Sequence, residues 1–165
     1  MIVFRVPVWP LAEERIPEVL AAGGIRVNDF ARAYFAHPKF FDGLETDEIQ
    51  IRIVSLGELG FADGAGFFEL LQRMPLQGMK PCNPWAGLFF RLVWKDQGKS
   101  ANNVLSGQHM APDGAVTVFS VPLEEDDAFP KGLYLRNVDG ELWLRGYRCD
   151  AAYRFSPDDC FAFEV

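Results

Sequence analysis

Histidine and cysteine are scarce here: two and three residues in a chain of 165. Cys82, Cys149 and Cys160 form no C-x-x-C pair, which excludes a disulfide framework and points to reduced, buried thiols. H-E-x-x-H, zinc spacing and G-x-S-x-G are all absent, so neither a zinc hydrolase nor a serine hydrolase is signalled. No metal or cofactor is expected. The longest apolar run, WAGLFF at 85–90, is far below the ~20 residues of a membrane helix. The start, MIVFRVPVWP, is too short and too proline-interrupted for a signal peptide. A cytoplasmic chain without membrane contact is therefore expected.

A P-loop is also missing, although Gly98-Lys99-Ser100 ends like one. The motif needs a glycine five residues before Gly98, where Val93 stands, and a helix after Ser100, where SANNVLSGQ reads as loop and strand. Positive charge is outnumbered. Sixteen Lys and Arg face 23 Asp and Glu, a net charge of −7 that disfavours nucleic acid as a partner.

What is plentiful is apolar surface. Hydrophobic residues make up 49%, with 15 Phe, so residues 1–165 are read as one globular domain. IVFRV reads as a strand that Pro7 confines to an edge. Pro17 opens a short helix stopped by Gly23-Gly24, and Asn28 caps DFARAYFAH. Ile49, Ile51 and Ile53 alternate as one strand face, and Phe67, Leu70, Leu71 and Met74 have helical spacing. Beyond residue 76 a period of two predicts strands at 88–95, 103–110 and 115–121, the last two joined by Pro112-Asp113-Gly114, and a final strand CFAFEV. The expected class is α+β: a mostly antiparallel sheet with two or three helices from the N-terminal half packed on one face.

Asp139-Gly140 between GLYLRNV and ELWLRGY predicts a two-residue hairpin turn. Its register sets Arg136 against Trp143 and Tyr134 against Arg145, with Tyr147 on the same side. Leu133, Leu135, Leu142 and Leu144 form the core side, with Asn137 as its polar intruder. Alternating Arg and aromatic residues stabilise a half-solvated sheet face as cross-strand pairs. They are also the types that dominate interaction hot spots. Tyr134, Arg136, Trp143, Arg145 and Tyr147 are therefore the candidate surface for a protein partner.

Other polar residues are read as structural first. His37 suits a helix C-terminus, and Ser156-Pro157-Asp158-Asp159 reads as a capped helical turn. Glu124-Glu125-Asp126-Asp127 reads as a solvated loop, and less often as a docking site for a basic partner. Ser106 and His109 fall on opposite sides of a strand, which separates them as a dyad.

ELGFADGA (58–65), PCNP (81–84), RLVWKDQ (91–97) and SPDDCFAF (156–163) resemble segments of a family of bacterial proteins of unknown function. That family carries ELG-x-x-x-GA, a Cys-Pro-like segment, an RL-x-x-x-DQ strand and PDD-x-F-x-F. The resemblance spans roughly residues 45–165 and implies a bacterial cytoplasmic protein. It carries over no catalytic residue.

The sequence thus points to a non-enzymatic protein-binding, regulatory or accessory module. The alternative is a hydrolase-like enzyme whose pocket gathers Asp96, His109, Cys82, Asp158 or Asp159. A second alternative is a single-stranded nucleic-acid binder. Homodimers could form through an edge such as residues 2–6 or the C-terminal strand.

Overall fold

A computed structural model describes residues 2–100, 112 and 114–165. In chain order the elements are β1 (Val3–Pro7), α1 (Ile16–Ala22), β2 (Ile25–Val27), α2 (Asp29–Phe35), β3 (Glu48–Ser55), β4 (Ala65–Gly66) and α3 (Phe67–Arg73). Then follow α4 (Ala86–Val93), β5 (Val116–Val118), β6 (Gly132–Val138), β7 (Glu141–Tyr147), β8 (Arg154–Phe155) and β9 (Cys160–Glu164). The expected strand 103–110, Ser106 and His109 lie outside the described residues.

Seven strands form one sheet in the order β1-β3-β9-β5-β6-β7-β2, and β4 pairs with β8 separately. The large sheet is mixed. β1–β3, β3–β9, β5–β6 and β6–β7 are antiparallel, while β5–β9 and β2–β7 are parallel. Strand alternation divides the interior into two layers. Ile49 and Ile51 of β3, Ala162 of β9 and Leu133 and Leu135 of β6 face one layer, shared with α1, α2 and α4. Val54, Phe161 and Phe163 face the other, where α3 and Phe155 of β8 cover them. The helices therefore lie on both faces, not one, and four are present among the described residues.

Residues 88–95 correct the strand expectation. Residues 88–93 belong to α4, Trp94 is its C-cap, and Lys95 follows in loop. The Ala86 N–H donates to the Asn83 carbonyl at 3.0 Å to start the helix, and Phe90 stacks on Trp94 one turn later with ring centroids 5.1 Å apart. Ala86 through Arg91 are all buried. Six consecutive buried residues make a short apolar run, and such a run fits a buried strand as well as a helix.

The C-terminal strand is also not an edge. β9 runs in the middle of the sheet, between β3 and β5. The edges are β1 and β2. The second is a three-residue strand without a sequence signal of its own.

Asn28 joins α2 to the sheet. Its Oδ1 accepts the Ala31 N–H at 2.9 Å, which caps the helix, and also the Gly146 N–H at 2.8 Å. Its Nδ2 donates to the Gly146 carbonyl at 3.0 Å. One side chain thus caps a helix and extends the β2–β7 ladder past Val27. The helix start sits directly on Gly146, where a Cβ would lie 2.6 Å from the Phe30 carbonyl carbon and 2.7 Å from the Ala31 nitrogen. Both neighbours are backbone and cannot swing aside. Gly146→Ala should therefore cost about 2 kcal/mol, within the range for overpacking. Thermal denaturation followed by circular dichroism checks this, and an unchanged Tm would show that α2 is not held at this point.

Candidate functional site

The β6–β7 hairpin has the register that its turn dictates. Arg136 pairs with Trp143, Tyr134 with Arg145, and Tyr147 with Gly132. The two-residue turn has Asp139 at φ 52° and Gly140 at φ 98°, the left-handed conformations that a type I′ turn demands.

The five residues of the candidate surface do not share one environment. Trp143, Arg145 and Tyr134 are half-buried. The Arg145 guanidinium carbon lies 4.1 Å from the centroid of the Trp143 ring. A second guanidinium, that of Arg26 on β2, lies 5.6 Å from the same ring and donates to Glu141 at 2.9 Å. The indole is thus held between two cations, one of them tethered by an exposed ion pair. Each stacked pair contributes about 0.5–1 kcal/mol at such an exposed site.

Arg136 points inward instead. Its side chain is 0% exposed, and its Nη2 donates to the Ser100 hydroxyl at 3.1 Å. Tyr147 buries its hydroxyl in the second layer near Cys149, and burial pushes its ionisation well above the ordinary tyrosine range. Sheet alternation places both residues opposite the leucine face; Arg136 is fully covered there, and Tyr147 is half-buried with its hydroxyl enclosed.

Arg136 adjoins a buried polar network centred on Arg91, which is also 0% exposed. Arg91 Nη1 donates to Gln97 Oε1 at 2.5 Å and to the Arg136 carbonyl at 3.4 Å, and Nη2 donates to the Trp94 carbonyl. Gln97 Nε2 in turn donates to the carbonyls of Leu135 and Gly114, at 3.0 and 3.2 Å. Asn137, the intruder on the leucine face, donates to the Gln97 carbonyl at 2.7 Å and accepts the Gly140 N–H at 2.9 Å. Burial lowers the Arg91 pKa to about 10, so the guanidinium remains charged at neutral pH. The polar end of RLVWKDQ therefore ties α4 to β6 and to the hairpin turn. Gly98-Lys99-Ser100 follows as loop and ends in a single bridge to β6, with the Ser100 N–H donating to the Asn137 carbonyl at 2.9 Å.

The residues of the enzyme alternative have other positions. The Cys82 thiol donates to the Ala162 carbonyl at 3.6 Å, and burial pushes its pKa far up. A cleft of about 360 Å³ opens beside Cys82, but its lining includes none of Asp96, Asp158 and Asp159. Asp159 accepts the Ser156 N–H at 2.8 Å and closes a turn. Its carboxylate does the capping that was expected of the serine hydroxyl, and no helix follows. Among the described residues no group of three or more His, Cys, Asp or Glu is placed to hold a metal. No helix among them is long and apolar enough to cross a membrane.

The buried thiols make stability fall with alkalinity. Burial raises Cys149 to about 12, against the pull of the Lys131 ammonium, and raises Cys82 further. Unfolded thiols ionise near 9, so the folded state holds more protons above that pH. The contribution is complete below pH 9 and declines as pH rises toward 12, by about 1.4 kcal/mol per unit for each thiol. Urea unfolding at pH 7, 9 and 10 should show this decline, with a shallower slope in Cys149→Ala. Equal slopes in the two proteins would refute the assignment.

No family model matches the chain, and no curated protein or solved structure matches it.

Proposed function

We propose that this chain is a non-enzymatic protein-binding module whose contact surface is centred on Trp143, Arg145 and Arg26. The observation that supports this is the half-buried indole held between two guanidiniums at the β2–β7 edge. Trp and Arg are the side chains that contribute most per residue to protein interfaces. Here they are held in place before any partner arrives, by Glu141 on one side and by mutual stacking, so binding orders little. The surface suits a partner that offers carboxylates to the two arginines and an apolar pocket to the indole.

Nucleic acid is the weaker reading. Guanidiniums already occupy the approach to the Trp143 ring on which a base would stack, and the charge of −7 repels phosphate at long range. An enzymatic reading has less support still, because Cys82 and Asp159 are engaged in backbone bonds.

The test compares the wild-type chain with Trp143→Ala/Arg145→Ala as baits in the same cell lysate, read by quantitative mass spectrometry. Both substitutions are on the half-solvated side of β7, so the variant should stay folded. At least one captured protein should fall about tenfold or more, the scale of a hot-spot loss. Equal capture by both baits, or capture of nothing by the wild type, would remove this reading.

A further inference from the structure

A second surface lies at the opposite end of the same hairpin. Lys131 precedes β6 and is five residues from Arg136, roughly 17 Å along an extended strand. There Phe68 and Leu71 of α3 and the segment 122–125 line a groove of about 460 Å³. Its floor is apolar: Phe68, Leu71, Pro122 and Leu123. Phe68 is 44% exposed, although the next residue back, Phe67, is fully buried. An aromatic ring left in solvent at the bottom of a groove is uncovered apolar surface.

The rim of this groove is acidic. Glu124 and Glu125 line it directly, and Asp126 and Asp127 continue the run. One cation is present, Lys131, and it is already engaged. Its side chain is 1% exposed, its ammonium lies 3.0 Å from Asp127, and it stands 5.9 Å from the Phe68 ring. Neither Glu124 nor Glu125 has a lysine or arginine partner among the described residues; Glu125 is exposed, and Glu124, about half exposed, has one carboxylate oxygen engaged by His37. The rim is also held in position. The His37 Nδ1 accepts the Lys39 N–H at 3.0 Å, which leaves the Nε2–H to donate to Glu124 at 2.8 Å. Asp126 Oδ1 accepts the Ala128 N–H at 2.9 Å, which fixes the turn behind it. An acidic loop that only kept the chain soluble would not need an aromatic floor and a fixed rim.

We infer that this groove docks a basic segment of another protein, in which an apolar side chain of Leu or Phe size is flanked by lysines or arginines. The apolar anchor covers Phe68 and Leu71, and the flanking cations meet Glu124 and Glu125. Charge complementarity selects the occupant: a second copy of this acidic chain, or an acidic peptide, would be repelled. The inference does not depend on the Trp143 surface, which has the opposite local charge and lies at the other end of the hairpin.

Fluorescence anisotropy with three labelled twelve-residue peptides tests it: repeats of Lys-Leu-Lys-Phe, of Lys-Ser, and of Glu-Leu-Glu-Phe. The first should bind, and the other two should bind at least tenfold more weakly, as expected when anchor and charge both contribute. Phe68→Ser and, separately, Glu124→Gln/Glu125→Gln should each weaken the first peptide about tenfold, while Trp143→Ala leaves it unchanged. Amide NMR signals of residues 68–71 and 122–131 should shift on titration. The Gln variant removes no buried group, so its result stands even if Phe68→Ser unfolds. The inference is overturned if the first peptide fails to bind, if the Lys-Ser peptide binds equally well, or if the Gln variant binds as the wild type does.

Discussion

β9 carries the constraint on which the two layers depend. It runs between β3 and β5, antiparallel to one and parallel to the other, and both of its faces are covered. Phe161 and Phe163 face the second layer, where their ring centroids lie 6.0 and 5.5 Å from Phe119 and where Phe161 meets Phe155 at 4.9 Å. Ala162 faces the layer of α4, between larger neighbours. A small residue on one side and two phenylalanines on the other fit a strand with a close-packed helix above and an aromatic cluster below. Without β9, β1–β3 and β5–β6–β7–β2 would be two separate sheets.

Electrostatics is organised around the same hairpin. Near its turn, Arg26 and Arg145 stack on Trp143, Lys99 lies against Gly140, and Lys95 donates to the Gly23 carbonyl at 3.3 Å. Beneath them Arg91 is buried, and among the described residues its acceptors are all neutral. A buried guanidinium that lost Gln97 would keep its charge and lose its best acceptor, so the network holds α4 and β6 together through the penalty of breaking it. The far end carries the acidic run 124–127. The stacked arginines and the acidic run thus lie toward opposite ends of one hairpin.

Where local rules are strong, the sequence already shows the structure. Asp139-Gly140 permits only one tight register, and that register is present. Asn28 has the chemistry of a cap and acts as one. The alternation of CFAFEV correctly divides Phe161 and Phe163 from Ala162. Legibility ends where the environment is non-local. α4 is short, and its alternating Leu88, Phe90 and Leu92 fit a strand as well as a buried helix. Alternation puts Arg136 and Tyr147 opposite the leucines but does not say whether water or protein lies there. Arg26 completes the Trp143 site through a parallel pairing with a strand whose Glu141 is 115 residues away, and no local pattern announces that. The resembling segments are legible afterwards as architecture. Gly64 of ELGFADGA has φ 74° and leaves no space for a Cβ, which would lie 1.9 Å from the Phe155 carbonyl oxygen.

The placement of β2 also orders events in time. This strand is made early, yet among the described residues it pairs only with β7. At a ribosomal rate of 5–20 residues per second, a separation of 115 residues delays that pairing by roughly 6–23 s. Throughout that interval α2 lacks β7, the strand against which it packs in the finished fold. Apolar surface left without its strand in this way is an aggregation hazard until β7 arrives.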